Sequence, residues 1–477
     1  MAAEPLTLPG SARAPHWSLL AASIALSLTL LNTAMMNVAL PTIGSALGGG
    51  TAGLQWCANG YAIAFASLLL PAGALADGLG ARRVLLLGTA VFASGAAIAA
   101  VAPVLAIVIA GQVVAGAGAA VITPSAIALV REAYPDPGER TRAVALTSIG
   151  MALGFGIGPV IGGILIEASG WRAVFAVNLI ASMVVVAMVR IHVPPSVPRA
   201  VRVPGLLGVA FGVVTLATLT FALIEGANTG WAEPVVLGAA LVAVTSGIGF
   251  VVLQRTGREP LLPRRLFAAR EVSVVAGLGL LFNFTAYAQM FILSLYFQRQ
   301  WGYSPLETAL MFLPAPFGTL VAALLVGRWT ARVGPRAPLA LGLLGNAIAP
   351  LILVFADGEL EVVVALTGLL VAGIAGGLVV PGLNIVVAIS APPDLVGVGT
   401  AVLNASRQVG GVLGIAILGA IIGNGTETGS VHGALVVGSA ASFVALVLAA
   451  TLVRAGPARE GEVVQARQAE AAELEVA

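Results

Sequence analysis

Long apolar runs recur along almost the whole chain, from Leu19 to Val453. Each is close to the length of about 20 residues that a helix needs to cross a hydrocarbon layer of about 30 Å. The runs do not alternate between apolar and polar positions, as strands of a membrane β-barrel would. They predict an all-α membrane protein with 14 transmembrane helices. The predicted spans are 18–40, 54–74, 84–102, 104–130, 143–166, 172–191, 204–224, 234–254, 272–297, 306–326, 338–356, 361–389, 400–423 and 431–453.

The composition agrees with lipid as the outer solvent. Hydrophobic residues fill 59% of the 477 positions, charged residues fill 9%, and the mean hydropathy is +1.03. A soluble domain carries about 25% charged residues. The single cysteine, Cys57, allows no intramolecular disulfide and makes redox chemistry unexpected.

The arginines indicate the orientation of the chain. All 23 basic residues are Arg, and cytoplasmic loops of membrane proteins are enriched in positive charge. With the termini and every second loop in the cytoplasm, all but three arginines lie on that side. The exceptions are Arg172 and Arg299, placed outside, and Arg407, near the start of span 13. The sequence therefore predicts a multi-pass protein of the inner (cytoplasmic) membrane with both termini in the cytoplasm.

Two loops match at a constant offset of 254 residues. Residues 73–82 read GALADGLGAR and residues 327–336 read GRWTARVGPR, with shared glycines at the first and eighth positions and a shared arginine at the tenth. Each loop is the second of its own set of six spans, so the match predicts an internal parallel repeat.

The repeat implies two six-helix bundles with an inserted helix pair between them. The expected segments are a cytoplasmic N-terminus at 1–17, a first bundle at 18–191, linkers and two inserted helices at 192–270, a second bundle at 271–453 and a cytoplasmic tail at 454–477.

Four stretches carry a family resemblance. They are residues 73–83, residues 154–163 (GFGIGPVIGG), Gly170-Trp171-Arg172 with Asn178, and residues 404–411 (NASRQVGG). Together they resemble the major facilitator superfamily, specifically its fourteen-span drug:proton antiporter branch. The resemblance implies the superfamily fold, export of hydrophobic or amphipathic small molecules by alternating access, and exchange against protons.

The second of these stretches is predicted to seal or hinge the interface between the bundles. Gly154, Gly158 and Gly162 recur on one helix face, with Gly163 beside them, and allow a neighbouring backbone to approach closely. Pro159 removes a backbone hydrogen bond and permits a bend. Ordinary close packing is the alternative interpretation.

Asp77 is predicted to latch a cytoplasmic gate. It could pair with Arg82 and Arg83, or face the positive N-terminus of a helix in the other bundle. The alternative is a solvated loop charge worth less than about 1 kcal/mol. Ala331 takes this position in the second loop, so only one bundle can make the contact.

The first bundle departs from the family pattern at two positions. Relatives of this kind usually carry an acidic residue where this chain has Asn32, and an arginine where it has Gln112. Losing one charge alone would strand the other at a cost of about 3–5 kcal/mol, whereas losing both leaves two amides that can hydrogen-bond. Asn32 and Gln112 are predicted to line a central cavity. Because amides cannot carry a proton, and no acidic residue falls near a span centre, the residues themselves do not support the proton exchange that the resemblance implies.

Span 9 supplies three aromatic candidates for the same cavity. Phe284, Tyr287 and Phe291 recur at helical spacing, with Asn283 and Gln289 alongside. Such a lining suits an apolar or amphipathic cargo. Packing or lipid-facing aromatics are the alternative.

Three further residues are candidates for substrate binding or coupling. Arg407, followed by Gln408, could bind an anionic group of a substrate, a carbonyl or a lipid phosphate. Glu225, at the outer end of span 7, could couple transport or simply lie at the interface.

The expected function is secondary active export of small molecules, with protons as a candidate second substrate. A proton-independent facilitator or a lipid or natural-product exporter of the same fold is one alternative, and a non-transporting sensor or scaffold is another. No enzyme, metal site, cofactor or nucleic-acid partner is expected, since glycine-rich strings lie within apolar helices rather than after a strand. The protein is expected to act as a monomer in the lipid bilayer.

Overall fold

The computed structural model describes residues 14–196, 205–256, 265–266, 269–356, 360–392, 395–423 and 427–453. Within these residues, 14 helical spans are long and apolar enough to cross a membrane, which confirms the predicted fold class and number of spans. In order, spans 1 to 14 are the helices Ala14–Leu47, Gly50–Leu79, Ala81–Ala100, Leu105–Ala133, Pro137–Ser169, Arg172–His192, Leu206–Thr229, Pro234–Thr256, Arg270–Arg299, the pair Pro305–Met311 and Pro314–Val333, then Arg336–Leu353, Glu361–Ser390, Val396–Ile422 and Thr428–Leu452.

Span 10 is broken into two helices, an interruption that the apolar pattern does not predict. Its short first helix is held by a capping box, in which the Ser304 hydroxyl accepts from the Glu307 amide and the Glu307 carboxylate accepts from the Ser304 amide. Pro314 begins the second helix. Proline has no N–H and can start a helix, but it disrupts the interior of one, so the break falls just before it.

Several helices are longer than predicted, and two of these extensions change where a candidate residue lies. Span 2, predicted to end at residue 74, continues to Leu79, so Asp77 lies in its last turn rather than in a loop. Span 13, predicted to begin at residue 400, begins at Val396. Arg407 is therefore eleven residues, or about 16 Å, into the helix and near its middle. Apolar runs locate the hydrocarbon core, whereas a helix continues into the polar headgroup layer.

The repeat predicted from the two loops has a structural basis. Gly80 and Gly334 both take positive φ angles, 89° and 83°, which favour glycine. Arg82 then donates to the Arg190 carbonyl at the end of span 6, at 3.0 Å. In the same way Arg336 donates to the carbonyl of Ala450, at the end of span 14. Each arginine thus ties the third span of its set to the end of the sixth.

The helix pairings repeat as well. In the first set, span 1 packs against spans 5 and 6, span 4 against spans 2 and 3, and span 3 against span 6. Every one of these pairs recurs eight spans later: span 9 packs against spans 13 and 14, span 12 against spans 10 and 11, and span 11 against span 14.

Spans 7 and 8 form a hairpin beside these sets. They pack against each other, and span 7 also packs against spans 2 and 13. A small apolar cluster joins these three spans, with Leu216 from span 7, Ile63 from span 2 and Val412 from span 13. The outer helix, span 8, leaves Leu241 and Val244 exposed, as a lipid-facing helix would.

Candidate functional site

A small chamber lies where spans 1, 2, 4, 5, 9 and 13 meet. Its volume is about 30 Å³, room for roughly one water molecule. Among the described residues no charged side chain lines it. Its walls are formed by Asn32, Thr33, Met36, Asn37, Ala58, Tyr61, Ala62, Gln112, Phe155, Tyr287, Met290, Gln408 and Ile415.

Asn32 and Gln112 meet in a buried chain of amides. The Asn32 Nδ2 donates to Gln112 Oε1 at 3.4 Å, and Asn178 Nδ2 donates to Asn32 Oδ1 at 2.9 Å. The three side chains are at most 2% exposed. The chain links spans 4, 1 and 6 without a charge, at the position where the family resemblance implies an ion pair. We refer to Asn32, Gln112 and Asn178 as the amide chain.

Span 9 contributes one of its three candidate aromatics to the chamber. Tyr287 lines it, and Met290 lies beside Tyr287. Phe291 is fully buried in the apolar core instead. Phe284 also lies outside the lining. Its backbone carbonyl packs directly against Gly414, where a Cβ atom would clash, so spans 9 and 13 touch there through their backbones. Helical spacing alone does not separate the chamber face from the adjacent packing face.

Tyr61 and Asn37 were not predicted as site residues. Tyr61, from span 2, donates to the Thr29 carbonyl at 2.9 Å, and Asn37 donates to the Thr33 carbonyl at 2.8 Å. Both lie within apolar spans, and an amide or a phenol in an apolar span was the signal that could have identified them.

Of the two neighbouring candidates in span 13, Gln408 lines the chamber and Arg407 lies just behind it. The Arg407 Nε and Nη1 donate to the side-chain oxygens of Asn283, at 3.4 Å, and of Asn404, at 3.3 Å. Asn283 and Arg407 therefore connect spans 9 and 13 within the second set. We refer to Arg407, Asn283 and Asn404 as the Arg407 cluster.

The two sets are joined by hydrogen bonds towards the span ends that the arginine pattern predicts to face outside. Gln55 Nε2 donates to the Ile415 carbonyl at 2.7 Å and to the Ala416 carbonyl at 3.0 Å. Gln298 Nε2 donates to the Val38 carbonyl at 3.0 Å, and Ser294 donates to the carbonyl of Asn37. These bonds join the two sets on the side of the chamber that is predicted to face outside. Because they use backbone carbonyls as acceptors, no sequence motif marks them.

Span 5 carries glycines on two faces that contact different partners. A Cβ at Gly154 would lie 2.8 Å from the Ser27 carbonyl oxygen, and one at Gly158 would lie 2.6 Å from Ala34 Cβ. Gly162 is also close, at 3.2 Å from Met35. These three glycines thus let span 1 of the same set approach, rather than a helix of the other set.

The contact with the other set comes from the second face of span 5. A Cβ at Gly163 would lie 2.8 Å from Leu306 Cα, and one at Gly156 would lie 2.7 Å from Pro316 Cβ, both in span 10. Gly156 was not among the predicted gating residues, although it stands in the same glycine-rich stretch as Gly163. Pro159 lies inside the helix Pro137–Ser169.

The predicted cytoplasmic latch is only partly described. The side chain of Asp77 lies outside the described part of the structure. Arg82 donates to backbone carbonyls at the end of span 6, within its own set, and Arg83 is exposed. In the described contacts, Arg82 therefore holds the end of span 6 against span 3. This role differs from the predicted pairing with Asp77.

Glu225 is half-buried near the C-terminal end of span 7 and is not part of the chamber lining. Its carboxylate accepts a hydrogen bond from Trp56 Nε1 at 3.1 Å. Trp56 also packs against Phe221, with 6.0 Å between the ring centroids. The contact ties the inserted hairpin to span 2.

Comparison with known proteins places this architecture among transporters. The family model described as Major Facilitator Superfamily matches residues 22–415, and a second match covers residues 275–476. The methylenomycin A resistance protein of Streptomyces coelicolor is 35% identical over 423 residues, covering 88% of this chain and 86% of that protein. The tetracenomycin C resistance and export protein of Streptomyces glaucescens is 30% identical over 412 residues, covering 86% of this chain and 76% of that protein.

The fold is also found among solved structures. The crystal structure of the peptide transporter POT in complex with sulfate superposes with a TM-score of 0.68 at 15% identity, covering 91% of this chain and 94% of that one. At this identity the likeness concerns the fold alone. The family match over most of the chain and the 35% identical relative establish that the chain belongs to the major facilitator superfamily.

Proposed function

We propose that this protein exports small hydrophobic or amphipathic molecules across the cytoplasmic membrane by alternating access. The single observation that carries the proposal is the chamber between the two sets of six spans, whose lining combines amides and phenols with Met36, Phe155 and Met290. A few polar groups in an otherwise apolar wall suit a cargo of mixed character. The resistance and export proteins among its relatives support the same function.

The moving parts in this proposal are residues 18–191 and 271–453, which rock about the chamber. The outer ends are closed by the hydrogen bonds of Gln55 and Gln298, so the described conformation is the one closed to the outside. Gly163 and Gly156 allow span 5 to close tightly on span 10. In the opposite conformation Asp77 would approach the second set and latch the cytoplasmic side. Both termini face the cytoplasm, as the arginine distribution supports.

The proposal has two alternatives, which differ in whether transport is coupled to protons. The resemblance to the drug:proton antiporter branch favours proton antiport, whereas the described lining of the chamber consists of groups that do not ionise at neutral pH. The alternative with the same fold is a facilitator, or a lipid or natural-product exporter with another driving force. The amide chain favours this alternative because it holds no titrating group where an ion pair would be expected.

Transport by everted membrane vesicles tests the proposal. Vesicles carrying the protein should accumulate 2-naphthamide, or other compounds of an apolar panel, faster than vesicles without it. Collapsing the pH gradient then separates the alternatives. Proton antiport predicts loss of accumulation, and an exporter with another driving force predicts that accumulation persists. A facilitator predicts faster equilibration without accumulation, whether or not a pH gradient is present. Lack of movement of every compound under any gradient would contradict export. A stable cytoplasmic partner without flux would instead favour a sensor or scaffold.

A further inference from the structure

Arg407 is a charged residue near the middle of a membrane span. It lies eleven residues after the start of the helix Val396–Ile422 and is half-buried. A charge at this depth is costly, and ionisable residues inside membranes usually face a functional cavity or a partner. The cost therefore requires a compensating group.

The partners of Arg407 within the protein are weak. Its hydrogen bonds to Asn283 and Asn404 measure 3.4 and 3.3 Å, longer than the usual length of about 2.9 Å. A guanidinium has five N–H donors, so most of its donor capacity is unused by these bonds. Amide oxygens also carry no charge that could neutralise it.

Asn283 adds a further unsatisfied donor. Its side chain is 1% exposed, and its Nδ2 has no hydrogen-bond partner within the described structure. A buried donor without an acceptor costs about 1–3 kcal/mol. Arg407 and Asn283 together form a site with surplus donors and a positive charge, which is the chemistry that binds an oxyanion.

Carboxylates of the described residues lie at other levels of the membrane. Glu271 is twelve residues, or about 18 Å, before Asn283 on the same helix. Glu225 is bonded to Trp56 near the outer end of span 7. Among the described residues, the hydrogen-bond partners of Arg407 are the amides of Asn283 and Asn404 rather than a carboxylate.

The site is continuous with the chamber. Asn283 lies one helical turn before Tyr287 on span 9, and Arg407 directly precedes Gln408 on span 13. Tyr287 and Gln408 both line the chamber. When the two sets of spans move apart and the chamber widens beyond its present room for about one water molecule, a cargo there can place an acidic group against Arg407 while its apolar body contacts Met36 and Met290.

We propose that Arg407 and Asn283 bind a carboxylate or similar oxyanion of the cargo, so that the protein selects small organic acids with an apolar body. The inference rests on the proposed export function and names the class of cargo. Neutral analogues bind less tightly than acids. Cations are disfavoured because the fixed positive charge repels them and no chamber carboxylate offsets it.

Three probes that share one ring system test this selectivity: 2-naphthoate, 2-naphthamide and 2-naphthylmethylamine. Binding to the purified full-length protein is measured at pH 7.5 by ligand-dependent thermal stabilisation. Loss of a charge-assisted hydrogen bond corresponds to about a 10- to 100-fold weaker affinity. We expect naphthoate to bind that much tighter than the amide, with the amine weakest.

Two substitutions assign the preference to the site. Arg407→Gln should bring naphthoate down to the affinity of naphthamide, and Asn283→Ala should weaken naphthoate alone by a smaller factor. The exposed Arg328→Gln at the cytoplasmic end of span 10 is the matched control and should change neither. If Arg407→Gln does not fold, the wild-type probe series and Asn283→Ala still decide the question.

The outcomes separate this inference from the export function. If everted vesicles transport all three probes equally and Arg407→Gln has no selective effect, export stands and the acid site is wrong. If no probe is transported but naphthoate binds in the predicted order, the binding site stands and export is wrong. Stabilisation by chloride as large as that by naphthoate would assign an inorganic anion site and overturn the cargo assignment.

Discussion

The two halves of the molecule have the same contacts at their helix ends but different polar groups at their centres. In both, a glycine with positive φ precedes an arginine that holds the end of the sixth span, Arg82 in one and Arg336 in the other. At the centre, the first half holds the uncharged amide chain, and the second half holds the positively charged Arg407 cluster. The matching contacts at the helix ends stabilise each bundle, whereas the different central groups give each half its own binding properties.

Charge distinguishes these two buried polar groups. Each contains a 3.4 Å hydrogen bond and one buried atom without a described partner, Asn178 Oδ1 in the amide chain and Asn283 Nδ2 in the Arg407 cluster. The amide chain carries no charge and so needs no counterion. The Arg407 cluster carries a positive charge that its amide partners do not neutralise, so it gains from an anionic ligand.

Adding a charge to the amide chain should break this contrast with the largest effect. Asn32→Asp would place a carboxylate at a position 2% exposed, and a stranded buried charge costs about 3–5 kcal/mol. The free energy of unfolding in detergent should fall by about that amount. The double variant Asn32→Asp/Gln112→Arg should recover most of the loss, because the two charges can pair. Equal instability of the single and double variants would contradict the contact between the two positions.

Alanine at two glycines of span 5 should distinguish contacts within a half from contacts between halves. Gly158→Ala crowds Ala34 of the same half and should lower stability by about 1–3 kcal/mol. Gly163→Ala crowds Leu306 of the other half, so it should favour the conformation open to the outside. Labelling of an engineered cysteine in the chamber with an impermeant thiol reagent, in a Cys57→Ser background, reports the opening.

The matched control for both is Gly277→Ala, because a Cβ there meets no atom within 4 Å. If Gly158→Ala opened the outer side as much as Gly163→Ala, the assignment of the two faces would be wrong.

Removing the helix-end arginines tests the shared feature of the halves. Arg82→Ala and Arg336→Ala each delete a charged donor to carbonyls at a helix C-terminus, a contact worth about 1–2 kcal/mol in partly buried positions. Since the two lie in different halves, their effects on unfolding free energy should add. Strong coupling between them would indicate that they act across the interface rather than within each bundle.

The inserted hairpin should give the smallest effect. Glu225→Gln keeps an acceptor for Trp56 Nε1 while removing the charge, so stability should change by less than about 1 kcal/mol. Accumulation of 2-naphthamide in vesicles should be unchanged. Loss of its response to the pH gradient, with binding intact, would instead identify Glu225 as a coupling residue.

Sequence patterns predict the fold of this protein better than its site. Apolar length and arginine placement predicted all fourteen spans, because the bilayer imposes both on each segment independently. The same patterns did not predict the break before Pro314 or the extension of span 2 to Leu79, because hydropathy marks the hydrocarbon core rather than the length of the helix.

Within the site, the matched departures at Asn32 and Gln112 predicted a contact that the structure contains, because paired changes imply proximity. Phe291 was misplaced because packing decides which side of a helix faces a cavity, and a single sequence does not encode its neighbours. The sequence predicted Asn283 only as a neighbour of the span 9 aromatics. Its proposed role in binding an anion comes from its Nδ2, which has no acceptor among the described residues, and a sequence does not show hydrogen-bond partners.

The proposed cargo chamber is polar but holds no group that titrates near neutral pH. Among the described residues, amides and phenols face it, and the charged side chain of Arg407 lies beside it. Calorimetry of 2-naphthamide binding at pH 7, in two buffers of different ionisation enthalpy, tests this property, because the probe itself carries no ionisable group. A chamber that does not titrate predicts the same binding enthalpy in both buffers, and so no proton uptake or release. A buffer-dependent enthalpy corresponding to about one proton per bound molecule would contradict it.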